Sequence, residues 1–136
     1  MLNVLGLCSY PIESAATRYR LAQFVEPLKE KGINLEISSF LDSDGFSSFY
    51  SDKNSLKKIA KLGALTSFRA RKVLNIKDYD LLFVQREAMF YGPAFFEWIY
   101  QKVGKLPMIL DLDDATYVRY VSPTFGQLGS LLKFFG

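Results

Sequence analysis

Four short apolar runs, at residues 2–7, 33–40, 79–84 and 107–110, set the limits on what this chain can fold into. Each is bounded by turn-forming residues and is short for a buried helix, so each reads as a buried strand. The stretches between them carry apolar residues at helical spacing. Parallel strands need long crossover connections, and helices are the usual ones. The order strand, helix, strand, helix, strand, helix, strand therefore predicts an α/β fold, a Rossmann-like doubly wound parallel sheet with helices on both faces.

The pattern also predicts the connections. Leu21, Phe24, Val25 and Leu28 mark one helix, stopped at Gly32. Residues 41–52 are rich in Ser, Asp and Gly and read as a loop. A basic helix is expected over 54–74, with Gly63 as the place where it could break. Gly92-Pro93 should open a further helix, with Phe95, Phe96, Ile99 and Val103 as its inner stripe and Gly104 as its end. The last residues, 115–136, finish in Leu131, Leu132, Phe134 and Phe135. Sheets of this class usually carry five or six strands, and four are visible. The expectation is one domain, 1–136, truncated before its last strands; the alternative is a complete small domain.

Composition narrows the chemistry. The 136 residues are 49% hydrophobic, enough for a real core, and the net charge of +3 does not by itself imply nucleic acid. There is no histidine, so acid–base work would fall to carboxylates, Lys, Tyr or Cys8. A single cysteine excludes an internal disulfide and fits a reduced, cytoplasmic setting. No apolar run approaches the ~20 residues of a membrane span.

In open parallel sheets, ligands bind beyond the carboxyl ends of the strands. Ser9, Tyr10, Ser14, Thr17 and Arg18 follow the first run, Gln85, Arg86 and Glu87 the third, and Asp111, Asp113 and Asp114 the fourth. Helical phasing puts Thr17 and Arg18 near the inner face, with Arg20 at its flank. Arg18 should then lean over the strand ends as an anion contact, unless it merely pairs with Glu87 or Asp113. Asp111, Asp113 and Asp114 are close enough to raise one carboxyl pKa, which would make a better general base; helix capping or plain solvation are the alternatives. The first loop lacks the glycine patterns of dinucleotide or triphosphate cradles.

Lys53, Lys57, Lys58, Lys61, Arg69, Arg71, Lys72 and Lys77 lie in a span without a single acid. On one helix, Lys57, Lys58, Lys61, Arg69 and Lys72 share an arc with Leu65 and Phe68. Leu56, Ile59, Ala60, Gly63 and Leu74 take the other side. A solvated face is the plain reading, and peripheral membrane contact through 53–77 the sharper one. Sparse aromatic interleaving argues against nucleic acid.

Ser9-Tyr-Pro11, Ser14-Ala-Ala-Thr-Arg-Tyr-Arg20, Leu28-Lys-Glu-Lys-Gly32, Tyr79-Asp-Leu-Leu-Phe-Val-Gln-Arg-Glu87 and Pro107-Met-Ile-Leu-Asp-Leu-Asp-Asp-Ala115 follow one another in order. Together they resemble the N-terminal domain of family-4 (group 1) glycosyltransferases, which have the GT-B fold. The resemblance spans residue 2 to about 116. It implies the acceptor-side half of an enzyme that transfers a sugar from a nucleotide-sugar donor to a sugar or lipid-linked acceptor, inactive as this half alone. It also implies a cleft without metal or other cofactor, and most donor contacts on a second domain. By the same resemblance Arg18 or Arg20 would meet a phosphate, and Asp113 would orient the acceptor where many relatives carry a His-Asp pair. Some relatives sit on the inner membrane face. The glycine-rich first loop of the family is missing here.

Two other classes compete. Asp111 and Asp113 have the spacing of the first motif of haloacid-dehalogenase phosphatases, but Ala115 stands where that motif wants Thr or Val. A non-catalytic flavodoxin-like binding module is the third reading.

Overall fold

The structure, a computed structural model, describes residues 1–45, 47, 55–89 and 94–112, with the side chains of 55–59 left aside. Four strands, β1 (Leu2–Cys8), β2 (Ile33–Ser39), β3 (Leu81–Gln85) and β4 (Met108–Asp111), form one sheet in the order β2-β1-β3-β4. All pairs are parallel. The chain is α/β with a Rossmann-like, doubly wound sheet, as the alternation of runs predicts.

β1 is central, and its residues 4–8 are all buried. A strand covered on both faces needs side chains that suit both. Leu5 and Leu7 face one way, onto Leu82, Val84, Ile76, Phe96 and Tyr100. Val4 and Cys8 face the other way, onto Leu21 and Leu35, with Val25, Leu28 and Phe83 packed around them. Helices α1 (Ala15–Arg20) and α2 (Val25–Glu30) cover the second face; α3 (Ser55–Leu74) and α4 (Phe95–Gly104) cover the first. Among the described residues, no helix is long and apolar enough to cross a membrane.

The first connection is not one helix. It breaks at Leu21 (φ −128°, ψ −60°) into α1, a 3-10 turn at Ala22–Phe24, and α2. Pro27 supplies a physical reason. Inside a continuous helix its ring would clash with the carbonyl four residues back, whereas α2 begins at Val25 and holds Pro27 in its first turn, where no N–H is needed. Phe24 is thereby left 45% exposed. Gly32 ends α2 as expected, at φ +77°.

α3 runs through Gly63 without a break. Among its described side chains the faces run against the sequence expectation, Phe68 apart, which is exposed. Arg69 is buried, and Lys61, Leu65 and Lys72 are half-buried, whereas Ala60, Gly63 and Leu74 are exposed. The cause lies on β2. Its side chains toward α3 are polar, so the basic arc turns inward to meet them. Lys72 Nζ bonds Glu36 Oε1 at 2.5 Å, and Tyr79 Oη donates to Glu36 Oε2 at 2.7 Å. Arg69 donates to the Ser38 carbonyl (3.0 Å), Ser38 Oγ (3.1 Å) and the Cys8 carbonyl (3.1 Å).

In α4 the inner stripe is Phe96, Tyr100 and Gly104, with Phe95 and Val103 exposed. A Cβ on Gly104 would lie 2.2 Å from Ile76 Cδ1, so this glycine serves close approach. The left-handed residue at the helix end is Lys105, at φ 52°. The proposed helix start at Gly92-Pro93 and the tail 115–136 lie outside the described residues.

Candidate functional site

From β1 the chain moves to β2 on one side, then crosses to β3 on the other, and continues outward to β4. Strand order therefore reverses between β1 and β3. Loops leaving neighbouring strands diverge at such a point and open a crevice at the carboxyl ends.

Hydrogen bonds join the two loops and brace each of them. Ser9 Oγ donates to the Glu87 carbonyl at 3.1 Å, and Thr17 Oγ1 donates to the Tyr10 carbonyl at 2.7 Å. Arg86 N–H donates to the Asp111 carbonyl at 2.9 Å, tying the β3 exit to the end of β4. Arg86 sits at φ 64°, a conformation uncommon for a side chain other than glycine and frequent at functional sites. Ala88 N–H donates to Glu97 Oε1 at 2.7 Å, which anchors the β3 loop to the first turn of α4.

Ser9, Tyr10, Thr17, Arg20, Arg86, Glu87 and Asp111 thus gather at the strand ends beside the reversal point, but their parts differ from expectation. The Ser9 and Thr17 hydroxyls are braces, each donating its proton to a loop carbonyl. Ser14 takes the N-cap position of α1 without its side chain capping the helix. Arg18 is exposed and lies over the Tyr19 ring, 5.2 Å from its centre. Arg20 is the arginine that reaches a strand end. Its Nη1 lies 2.7 and 2.8 Å from the two Asp111 carboxylate oxygens. Helix phase explains the exchange: Arg20 is three residues from buried Thr17 and shares its side of α1, whereas Arg18 is turned about 100° away. Asp113 and Asp114 lie outside the described residues.

Register aligns a polar row beneath α1. Cys8 pairs with Ser39 and with Gln85, and Gln85 pairs with Asp111. Side chains at paired positions project to the same face. Cys8 is no ready nucleophile: burial pushes its thiol pKa up, and Sγ donates to the Tyr10 carbonyl at 3.3 Å. Gln85 is 3% exposed, and its Nε2 has no hydrogen-bond partner among the described residues. Gln85 reads in the sequence as one of several exit residues. Its isolation depends on which neighbours are already engaged, which spacing does not encode.

Two hollows flank the sheet away from this row. One, of about 480 Å³, lies between β2 and α3, with Lys61, Phe68 and Lys72 in its wall. The other, of about 330 Å³, is an apolar hollow under α1 and α2 that touches Arg20 and Phe83. The larger is off the reversal point, and its Lys72 already holds Glu36. Topology and buried polar groups therefore locate the candidate site better than volume does. Among the described residues, no group of three or more Cys, Asp or Glu is placed to hold a metal ion.

No family model, curated protein or solved structure matches this chain.

Proposed function

We propose that the chain is the acceptor-side, Rossmann-like domain of a glycosyltransferase that moves a sugar from a nucleotide-sugar donor to a sugar or lipid-linked acceptor. The observation that supports this most is the cluster of polar groups at the reversal point. There a carboxamide, a carboxylate and a guanidinium converge on one face of the sheet, between loops fixed to one another. Such planar polar groups suit hydroxylated ligands, and fixed loops preorganise them. On this reading Asp111 is positioned by Arg20, Asp113 orients the acceptor, and a second domain holds most of the donor. The direct test is transfer of labelled sugar from a panel of nucleotide sugars by the whole protein. Transfer is expected; magnesium-dependent release of phosphate from phosphomonoesters in its place would favour the hydrolase.

A second reading has one observation behind it. The order β2-β1-β3-β4 is the flavodoxin-type order, not the 3-2-1-4 order of dinucleotide-binding halves. A flavodoxin-like binding module would take a flavin or nucleotide at the same crevice and transfer no sugar. Equilibrium binding of FMN and of nucleotide sugars separates the two.

Contact with the inner membrane face through 53–77 belongs with the first reading. Arg69 and Lys72 are turned to the sheet, so the attraction would fall to the remaining cations. Salt-sensitive flotation with anionic vesicles is the expected result; none would leave 53–77 without a membrane role.

A further inference from the structure

We propose that Gln85 is a ligand-contacting residue, its carboxamide hydrogen-bonding a hydroxyl of a polyhydroxylated ligand beside the Asp111 carboxylate.

Few buried polar groups in proteins go without a hydrogen bond, and those that do need an explanation. Gln85 is 3% exposed, and its Nε2 meets no partner among the described residues. The described groups around it are turned to other partners. The Ser9 hydroxyl is directed to the Glu87 carbonyl, and the Thr17 hydroxyl to that of Tyr10. Asp111 is held by Arg20. A carboxamide at the end of the strand where the sheet order reverses is therefore left with hydrogen-bonding capacity.

Its strand partner says what could use that capacity. Gln85 and Asp111 are paired in register, on strands about 4.8 Å apart, and project to one face. Asp111 keeps 25% of its side chain exposed, so a ligand reaching it from solvent arrives beside Gln85. An ionised carboxylate only accepts hydrogen bonds, whereas a carboxamide offers both donor and acceptor. Adjacent hydroxyls can donate to Asp111 and accept from Gln85. A hydroxyl also suits either orientation of the amide group, which a phosphate does not. The Arg20 charge is already directed at Asp111, which leaves a neutral ligand better matched than an anion. That the ligand is a sugar rests on the glycosyltransferase reading; that it carries hydroxyls rests on Gln85 and Asp111.

Two measurements test this. Gln85→Met keeps the shape and removes the polar atoms, so it should melt at or above the wild-type temperature. A fall of several degrees would mean that the amide is held by the protein or by trapped water, and would overturn the proposal. In the wild-type chain, the Gln85 side-chain amide signals, assigned by through-bond NMR, should shift with at least one of the methyl glycosides of glucose, galactose and mannose, and inorganic phosphate should leave them in place. In Gln85→Met the affinity for that glycoside should fall at least fivefold. Signals that ignore every glycoside, or that answer to phosphate alone, overturn it too. If glycosides bind but no nucleotide sugar is used, the glycosyltransferase reading fails and Gln85 keeps its role. If sugar is transferred while the Gln85 signals stay still, the reverse holds.

Discussion

Two glycines make opposite predictions for the same change. Gly63 lies exposed within α3, and a Cβ there would meet nothing within 4 Å. Gly63→Ala should stabilise by about 1 kcal/mol through helix propensity. Gly104 faces Ile76, and a Cβ would come within 2.2 Å of Cδ1 and 2.6 Å of Cγ1. Gly104→Ala should destabilise by about 1–3 kcal/mol as an overpacked core contact. Thermal melts of the two variants should move in opposite directions; two upward shifts would mean that α4 does not press on Ile76. Only part of this is legible in the sequence. Gly32 can be read as a helix stop because Lys29 and Lys31 lead into it. The role of Gly104 depends on Ile76, which lies in the turn before β3, and no local pattern links the two.

At the scale of elements, strands were easier to read than helix faces. A short apolar run bounded by turns carries its own assignment, and the strands start or end within two residues of expectation. Assigning the faces of α3 required knowing what it packs on. Hydrophobicity alone turns Leu74 inward, yet Glu36 and Ser38 on β2 draw Lys72 and Arg69 instead. The alternation Ile33, Leu35, Ile37 leaves those polar residues on the opposite face of β2, which was the available signal. Arg69→Met should therefore cost about 1–3 kcal/mol, because Ser38 oxygens lose their donor in a buried place. A surface arginine would cost almost nothing, and chemical denaturation distinguishes the two.

The same contact predicts two pH limits. Lys72 first, then Tyr79, hold the Glu36 carboxyl pKa below its ordinary value. A depressed carboxyl pKa stabilises the fold above the unfolded pKa, and that stability is lost as pH falls through the folded one. The pKa of Tyr79 is raised, by burial first and then by Glu36; that of Tyr100 is pushed up to about 12 by burial. Their contribution is complete below the unfolded value of 10 and is lost as pH climbs toward 12. Melting temperature against pH should fall at both ends. Glu36→Gln should flatten the acid limb while the Tyr100 part of the alkaline limb remains. An unaltered acid limb would remove Glu36 from its cause.

For the whole molecule, the order of strands decides both the site and the stiffness of the sheet. Alternating runs forecast a doubly wound sheet, and the exits of strands one, three and four lie side by side at one end of it. They cannot say on which side of β1 the third strand lies, because crossover direction is set by packing of whole layers. That direction puts the reversal between β1 and β3 and sets Asp111 one strand away from it. It also gives β1 a special place. β1 pairs with β2 through seven registered positions and with β3 through five, and contributes to the cores on both faces. β4 pairs with β3 alone among the described residues, with Ile109 and Leu110 each 48% exposed. Amides open locally where they have few buried neighbours, and only by global unfolding where they have many. Native-state hydrogen exchange should therefore find residues 4–8 the slowest, with β4 exchanging much sooner through local opening. Equal protection in β4 would mean that its outer side is covered as fully as β1, and that the sheet continues past it.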